Sequence, residues 1–253
     1  MILRFTPQLR DLSWLVHRPI AHRGLHADKA VENTESAFAQ AIKHNYSIEC
    51  DLQITKDGEA VVFHDDAVDR LLDGKGMVKD FTFKELKNMA FKNGTDRVQS
   101  LGELIEQVDG AATLVIELKS HWDDDEGLTL RALEVLASYA GPYALMSFDP
   151  DMIACVAVHS PATVRGITAD RVVDPYYDPL PVAKRLAMRS FSHLPETRPH
   201  FVSFDFKGLP FAPVNSIREA GYPVITWTIE SPADAAAALR YCDQVTFQGY
   251  HPA

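Results

Sequence analysis

The residues best suited to chemistry in this 253-residue chain are concentrated between positions 22 and 65. They form three short motifs, which are His22-Arg23-Gly24, Glu49-Cys50-Asp51 and His64-Asp65. Carboxylates are the ligands that hard divalent cations prefer, and imidazoles exchange protons near neutral pH. This composition indicates a site that binds a divalent cation and transfers protons beside an anion.

Three carboxylates are candidate metal ligands because each lies near the end of a predicted strand. Side chains alternate along a strand, so Glu49 and Asp51 share one face, and Glu117 shares a face with Lys119 on a later strand. Three carboxylates at one rim cannot all stay ionised without a cation. Their oxygens favour Mg²⁺ or Ca²⁺, with Mn²⁺ as a further candidate. The alternative is a rim of ordinary ion pairs, in which Glu117 pairs with Lys119 or Arg23.

His22 and His64 are candidate acid–base groups because both follow apolar, strand-like segments. A histidine pair beside an anion can act as general base and general acid, since the ordinary pKa of histidine lies close to neutral pH. Arg23 offers a planar fork suited to phosphate, and Gly24 permits a close approach of the backbone. Most of the ten histidines are expected to be ordinary surface or core residues.

Two aromatic side chains, Phe148 and Trp227, also fall at predicted strand ends. Aromatic residues at such positions can form the wall of a substrate pocket. They can equally well pack inside a barrel, and the sequence leaves both possibilities open.

Short β-prone segments that alternate with helical patterns position these candidates, as is typical of a parallel sheet. Eight segments are predicted to form barrel strands, at residues 19–22, 47–52, 113–118, 143–148, 163–167, 201–206, 223–229 and 244–247. Helices are predicted between nearly all of them, at residues 34–45, 100–108, 126–140, 150–158, 179–188, 213–220 and 232–241. The pattern predicts an α/β protein with the (β/α)8 TIM-barrel fold.

One additional apolar segment, residues 60–64, follows the second strand too closely for a parallel crossover. Residues 56–58 have the composition of a turn, so the two segments are predicted to form an antiparallel hairpin. This hairpin is expected to bring His64 back beside Glu49 and Asp51.

Residues 65–99 are interpreted as a functional insertion after the second strand, with a short helix near residues 82–89. No eighth helix is expected after the last strand, and a helix over residues 7–17 could cover that gap. With the insertion included, residues 1–253 are interpreted as one barrel domain.

Composition limits the environment and the partners of the protein. A net charge of −10 and a pI near 5.4 argue against nucleic acid or an anionic membrane as the main partner. The cysteines, Cys50, Cys155 and Cys242, lie far apart, which favours a reducing compartment. No apolar segment is long enough for a signal sequence or a transmembrane helix, so a cytoplasmic protein without membrane insertion is expected.

Several motifs, taken in their order along the chain, resemble the glycerophosphodiester phosphodiesterase family. They are Ala21-His22-Arg23-Gly24, Glu32-Asn33-Thr34, Glu49-Cys50-Asp51, Thr55-Lys56-Asp57-Gly58, Val61-Val62-Phe63-His64-Asp65 and Ile116-Glu117-Leu118-Lys119. Residues 80–86 and 100–103 resemble the insertion of the family and the helix after it, and Trp227-Thr228 resembles its tryptophan-bearing strand. The chain departs from the family at the last strand, where Thr246-Phe247 replaces the usual Thr-Asp pair.

The resemblance implies a TIM barrel that binds Mg²⁺ or Ca²⁺ through Glu49, Asp51 and Glu117. It also implies that His22 and His64 are the catalytic pair. Arg23 and Lys119 are implied to bind the phosphate.

The activity implied by the resemblance is hydrolysis of a small-molecule glycerophosphodiester to glycerol 3-phosphate and an alcohol. Two alternatives remain open from the sequence. One is a lysophospholipid phosphodiesterase or lyase that forms a cyclic phosphate. The other is a non-catalytic barrel that binds glycerophosphate-like ligands.

Overall fold

Nine β-strands form one sheet in the computed structural model, which describes residues 10–26 and 30–252. The strands are β1 (Ile20–Ala21), β2 (Ser47–Ile54), β3 (Ala60–Val62), β4 (Leu114–Leu118), β5 (Tyr143–Ser147), β6 (Arg165–Ala169), β7 (Phe201–Asp205), β8 (Val224–Ile229) and β9 (Gln244–Phe247). Their order is β1-β9-β8-β7-β6-β5-β4-β2-β3, and β1 also pairs with β2. Eight parallel strands close into a barrel and β3 lies outside the ring, which confirms the predicted TIM barrel.

Helices alternate with these strands, as the periodic sequence patterns predicted. They are α1 (Ser13–Val16), α2 (Glu35–Lys43), α3 (Phe83–Asn88), α4 (Leu101–Val108), α5 (Gly127–Leu136), α6 (Pro150–His159), α7 (Val182–Ser190), α8 (Leu194–Thr197), α9 (Ala212–Glu219) and α10 (Pro232–Ala238). Within the described part of the chain, none of them is long and apolar enough to cross a membrane.

Side-chain caps explain where several helices begin. Ser100 accepts a hydrogen bond from the backbone N–H of Glu103, and the Glu103 carboxylate accepts one from the backbone of Ser100, which is a capping box. Thr34 caps α2 by accepting a hydrogen bond from the backbone N–H of Ala37.

Some boundaries differ from the prediction. The fifth barrel strand, β6, covers Arg165–Ala169 rather than residues 163–167, and α7 begins at Val182 because Pro181 has an extended backbone. In the predicted N-terminal helix, α1 covers Ser13–Val16, while residues 7–9 lie outside the described residues.

The predicted hairpin after the second strand is present. Strands β2 and β3 pair antiparallel, with Leu52 opposite Val62 and Ile54 opposite Ala60. The insertion that follows has its own hydrophobic cluster, built with Val61 and Phe63 of the hairpin. The buried insertion residues of this cluster are Val68, Leu72, Val78, Leu86, Phe91 and Val98.

The chain divides into two compact units. The N-terminal unit consists of Ile20–Lys119 and Asp125–Tyr143, and the C-terminal unit includes Ser120–Asp124 and residues 144–252. All of the predicted metal-binding and acid–base residues belong to the N-terminal unit. The two predicted aromatic contacts, Phe148 and Trp227, belong to the C-terminal unit.

Candidate active site

Three buried carboxylates on neighbouring strands form the centre of the candidate site. Asp51 of β2 lies directly opposite Glu117 of β4 in the parallel register, and Glu49 is two residues earlier on β2. The side chains of Glu49, Asp51 and Glu117 are buried. Oxygen atoms from all three lie within 4.8 Å of one another. The structure therefore brings together the three residues that the sequence predicted as metal ligands.

The surroundings of Glu49 make its ionisation unfavourable. Burial raises the pKa of Glu49 well above its ordinary value, and repulsion from Asp51 and Glu117 raises it further. The N–H of Arg23 donates a 2.8 Å hydrogen bond to Oε2 of Glu49, which opposes that effect only in part. An oxygen-rich, buried cluster of negative charge is the environment that a hard divalent cation stabilises.

Asp51 experiences the opposite balance of charges. Burial raises its pKa, but the positive charges of Lys119, His64 and Arg23 outweigh burial and lower the pKa of this carboxyl below its ordinary value. A hydrogen bond from Nδ2 of Asn33 to Oδ2 of Asp51, at 2.9 Å, acts in the same direction. Asp51 is therefore held ionised at the centre of the site.

Lys119 makes the ordinary ion pairs that the sequence offered as an alternative. Its Nζ lies 2.9 Å from Oε1 of Glu117 and 3.6 Å from Oδ1 of Asp51. One ammonium group does not balance three carboxylates, so this ion pairing and a role in binding a cation are compatible.

A tight turn after β1 aims His22 and Arg23 at the carboxylates. Arg23 and Gly24 have left-handed backbones, with φ of +56° and +78°. A Cβ atom on Gly24 would lie 2.9 Å from atoms of Ala37, so only glycine fits this close approach. The turn places Nε2 of His22 4.0 Å from Oε2 of Glu49.

The guanidinium group of Arg23 has an unused donor inside the site. Its Nη1 donates to Oε1 of Glu32 at 2.6 Å, and its Nε lies 3.5 Å from Oδ2 of Asp51. That Nε is buried and has no hydrogen-bond partner among the described residues. A buried guanidinium N–H without an acceptor is suited to an anionic oxygen of a ligand.

The hairpin arm returns His64 to the neighbourhood of Asp51. The backbone N–H of Phe63, the residue before His64, donates a 3.0 Å hydrogen bond to the carbonyl oxygen of Asp51. This bond holds the end of the arm beside the second strand. Nδ1 of His64 lies 2.8 Å from Oδ1 of Asp65. An ionised carboxylate can only accept hydrogen bonds, so Nδ1 carries a proton and Nε2 is left to exchange one.

Two residues with evident contacts to the site were not predicted to have a role in it. Asn33 makes two hydrogen bonds to Asp51, although the sequence marked it only as part of the Glu32-Asn33-Thr34 motif, without a role. Arg70, in the insertion, binds both Glu32 and Asp65. The sequence gives no signal for Arg70, because it lies in a segment without helical or strand periodicity.

Phe148 and Trp227 contact each other in the C-terminal unit. Their ring centroids are 5.5 Å apart in an edge-to-face arrangement. The indole N–H of Trp227 is buried without an acceptor among the described residues. At the last strand, where the family pattern is broken, Phe247 is buried and Nε2 of Gln248 donates to Oε1 of Glu230 at 2.8 Å.

Comparisons with known proteins agree on one family. The sequence matches the Glycerophosphoryl diester phosphodiesterase family over residues 22–244. A glycerophosphodiester phosphodiesterase of Caldanaerobacter subterraneus is 30% identical over 232 residues, covering 87% of this chain and 89% of the relative.

Solved structures show the same fold. An Oleispira antarctica phosphodiesterase in complex with the product sn-glycerol-3-phosphate superimposes with a TM-score of 0.77 and 23% identity, covering 92% of this chain and 94% of that one. A glycerophosphodiester phosphodiesterase from Thermotoga maritima gives a TM-score of 0.70 and 23% identity, covering 91% and 94%. At this level of identity, the likeness establishes the barrel fold.

Proposed function

The chain belongs to the glycerophosphoryl diester phosphodiesterase family, and we propose that it hydrolyses glycerophosphodiesters to glycerol 3-phosphate and an alcohol. The observation that carries this proposal is the buried carboxylate cluster, with histidine, arginine and lysine side chains around it. The activities named for the relatives support the same reaction. In this proposal residues 1–253 form one phosphodiesterase domain, with the insertion at residues 65–99.

Glu49, Asp51 and Glu117 would hold a divalent cation, Mg²⁺ or Ca²⁺, with Mn²⁺ as a further candidate. Their burial, their mutual proximity and their all-oxygen donor set fit such an ion. When bound there, the cation would supply Lewis-acid polarisation of the phosphoryl oxygens.

Arg23 and Lys119 would bind the phosphate group. Arg23 has a buried N–H without a hydrogen-bond acceptor in the described part of the chain, and Lys119 already lies beside two of the carboxylates. Positive groups fixed in a buried site stabilise the negative charge that develops on the phosphoryl oxygens in the transition state. Phe148 and Trp227 are proposed to contact the organic part of the substrate, which their paired rings support.

His22 and His64 would exchange the protons of the reaction. One imidazole removes the proton of the attacking hydroxyl or water, and the other protonates the departing alkoxide. In His64 the proton on Nδ1 is fixed by Asp65, so the exchanging atom is Nε2. In His22 the ring nitrogen nearest the carboxylates is Nε2.

The test measures release of alcohol and glycerol 3-phosphate from glycerophosphocholine and glycerophosphoethanolamine, with Mg²⁺, Ca²⁺ or a chelator present. His22→Ala and His64→Ala are each expected to lower kcat about 10²- to 10⁴-fold, the usual contribution of general acid–base catalysis. His159→Ala, which changes an exposed histidine at the end of α6, is the matched control.

Activity that survives both the chelator and His22→Ala would contradict the proposal. Phosphorus NMR distinguishes the products, since a persistent cyclic phosphate would indicate the lyase reaction instead. Absence of turnover together with thermal stabilisation by glycerol 3-phosphate would indicate a binding protein.

A further inference from the structure

We propose that Arg70 is a positioning residue that holds His64 and Arg23 in their working orientations through the carboxylates of Asp65 and Glu32. The inference rests on the proposed function, because it treats His64 as an acid–base group and Arg23 as a phosphate ligand. We call the five side chains His64, Asp65, Arg70, Glu32 and Arg23 the Arg70 bridge.

One arm of the Arg70 bridge reaches His64. Nε of Arg70 donates to Oδ2 of Asp65 at 2.6 Å, and Nη2 donates to Oδ1 at 2.9 Å. The same Oδ1 accepts the Nδ1 proton of His64 at 2.8 Å. The two-point contact fixes the plane of the Asp65 carboxylate. The position of the imidazole then follows from that plane.

The other arm reaches Arg23. Nη1 and Nη2 of Arg70 donate to Oε2 and Oε1 of Glu32, at 2.9 and 2.7 Å. Oε1 of Glu32 also accepts from Nη1 of Arg23 at 2.6 Å. A single guanidinium group thus orients both carboxylates, and each carboxylate orients one residue of the proposed site.

Arg70 itself fills the role that a cation would have in this cluster. Oxygen and nitrogen atoms of Glu32, His64 and Asp65 lie within 4.8 Å of one another, which is a spacing that a metal ion could use. The guanidinium group of Arg70 already donates four hydrogen bonds to the two carboxylates. Arg70 and Arg23, which also pairs with Glu32, therefore balance the two carboxylate charges of the cluster with side chains of the protein.

The insertion supplies the rigidity that this role needs. Arg70 ends a 3₁₀ turn, Val68–Arg70, whose first residue is buried in the hydrophobic cluster of the insertion. Leu72, two residues later, is buried in the same cluster. The backbone of Arg70 is thus held on both sides by packed residues. The insertion has a defined task in this arrangement, which is to present one guanidinium group to the site.

A kinetic experiment separates the two arms. Asp65→Asn is expected to lower kcat, Glu32→Gln to raise KM, and Arg70→Ala to do both, with kcat falling about 10- to 100-fold. Arg70→Lys restores part of the loss, because lysine keeps the charge but lacks the fork. Arg131→Ala is the matched control, since Arg131 also bridges two carboxylates, Glu59 and Glu134.

The double variant Arg70→Ala/Asp65→Asn tests whether Arg70 acts through Asp65. The expected loss in kcat is close to that of one single variant, because the two changes interrupt the same arm. Losses that multiply would overturn the inference, as would an unchanged kcat in a folded Arg70→Ala protein.

A measurement without substrate keeps this inference separate from the proposed activity. In ¹⁵N-labelled protein the His64 ring, identified by its loss in His64→Gln, is expected to carry its neutral-form proton on Nδ1. Arg70→Ala should move protonation towards Nε2, while Arg131→Ala should not. An unchanged His64 spectrum in Arg70→Ala would overturn the positioning role even if the enzyme proved active. The expected change would support it even if glycerophosphodiesters were not substrates.

Discussion

At the residue scale, Glu49 is expected to destabilise the protein when no cation is bound. Its pKa is raised by burial and by two neighbouring carboxylates. At a pH above the ordinary pKa of glutamate, ionisation of Glu49 is therefore less favourable in the folded state than in the unfolded state. Glu49→Gln removes that charge and keeps an oxygen for the N–H of Arg23. Its Tm in EDTA is therefore expected to exceed that of the unchanged protein at pH 8, by roughly 2–4 °C for each kcal/mol gained.

The same substitution is expected to have the opposite effect with a cation present. Binding of Mg²⁺ or Ca²⁺ to the folded state alone raises Tm, and the variant should lose most of that gain. Glu134→Gln, at an exposed glutamate of α5, is the control. Equal falls in Tm with and without cation would show that the repulsion argument is wrong.

The residues that could be predicted from the sequence are those with a regular place in the fold. Glu49 and Asp51 share a face because a strand alternates, and Glu117 joins them because neighbouring parallel strands align their ends. Asn33 and Arg70 act through irregular segments that only tertiary structure brings to the site. No periodicity marks such residues.

At the element scale, the insertion is expected to control catalysis through its packing. Leu72→Ala leaves a cavity in the hydrophobic cluster of the insertion and should cost about 2–5 kcal/mol of unfolding free energy. Because Leu72 anchors the segment that carries Arg70, kcat per folded molecule is also expected to fall. The measurements are urea denaturation and kcat at a temperature where the protein remains folded.

Leu104→Ala provides the comparison for the insertion. Leu104 is fully buried in α4 of the same unit, so its truncation should cost a similar free energy of unfolding. It carries no residue of the proposed site, and kcat per folded molecule should stay unchanged. Equal kcat values in the two variants would contradict a link between the insertion and catalysis.

Whether a segment forms a helix or a strand could be predicted from the sequence more reliably than the residues at which it begins and ends. The hairpin could be predicted because the gap before residues 60–64 is too short for anything but a turn. The helix α8 has four residues, which is too short to show a helical period. The start of α7 depends on the extended backbone of Pro181, which propensity alone does not determine.

At the scale of the whole molecule, the net charge of the protein has the same sign as the charge of the proposed substrate. The chain carries a net charge of −10, yet the substrate proposed for it is an anion. Arg23 and Lys119, together with a bound cation, would have to offset the repulsion between the negatively charged protein and the substrate at the site. The sequence could predict this need from composition, because a negatively charged protein binds an anion only where positive groups are concentrated.

Stability towards acid is also a property of the whole chain, and a buried histidine of the C-terminal unit is expected to contribute to it. Burial, with the nearby charges of Arg165 and Arg10, lowers the pKa of His200 to about 4. In the unfolded chain the pKa of this histidine is about 6.5. The stabilisation from neutral His200 is therefore complete above pH 6.5 and is lost as the pH falls from 6.5 towards 4, by on the order of 3 kcal/mol.

His200→Asn should flatten this part of the pH profile. The amide oxygen of asparagine can replace Nδ1 of His200, which accepts a 3.2 Å hydrogen bond from the backbone N–H of Arg165. Glu32 and Asp65 have pKa values lowered to about 2, so the stability they contribute is lost only at lower pH. Urea denaturation at pH 7.5, 6.0 and 5.0 is the measurement, with exposed His159→Asn as the control. Parallel profiles for His200→Asn and the unchanged protein would show that acid sensitivity arises elsewhere.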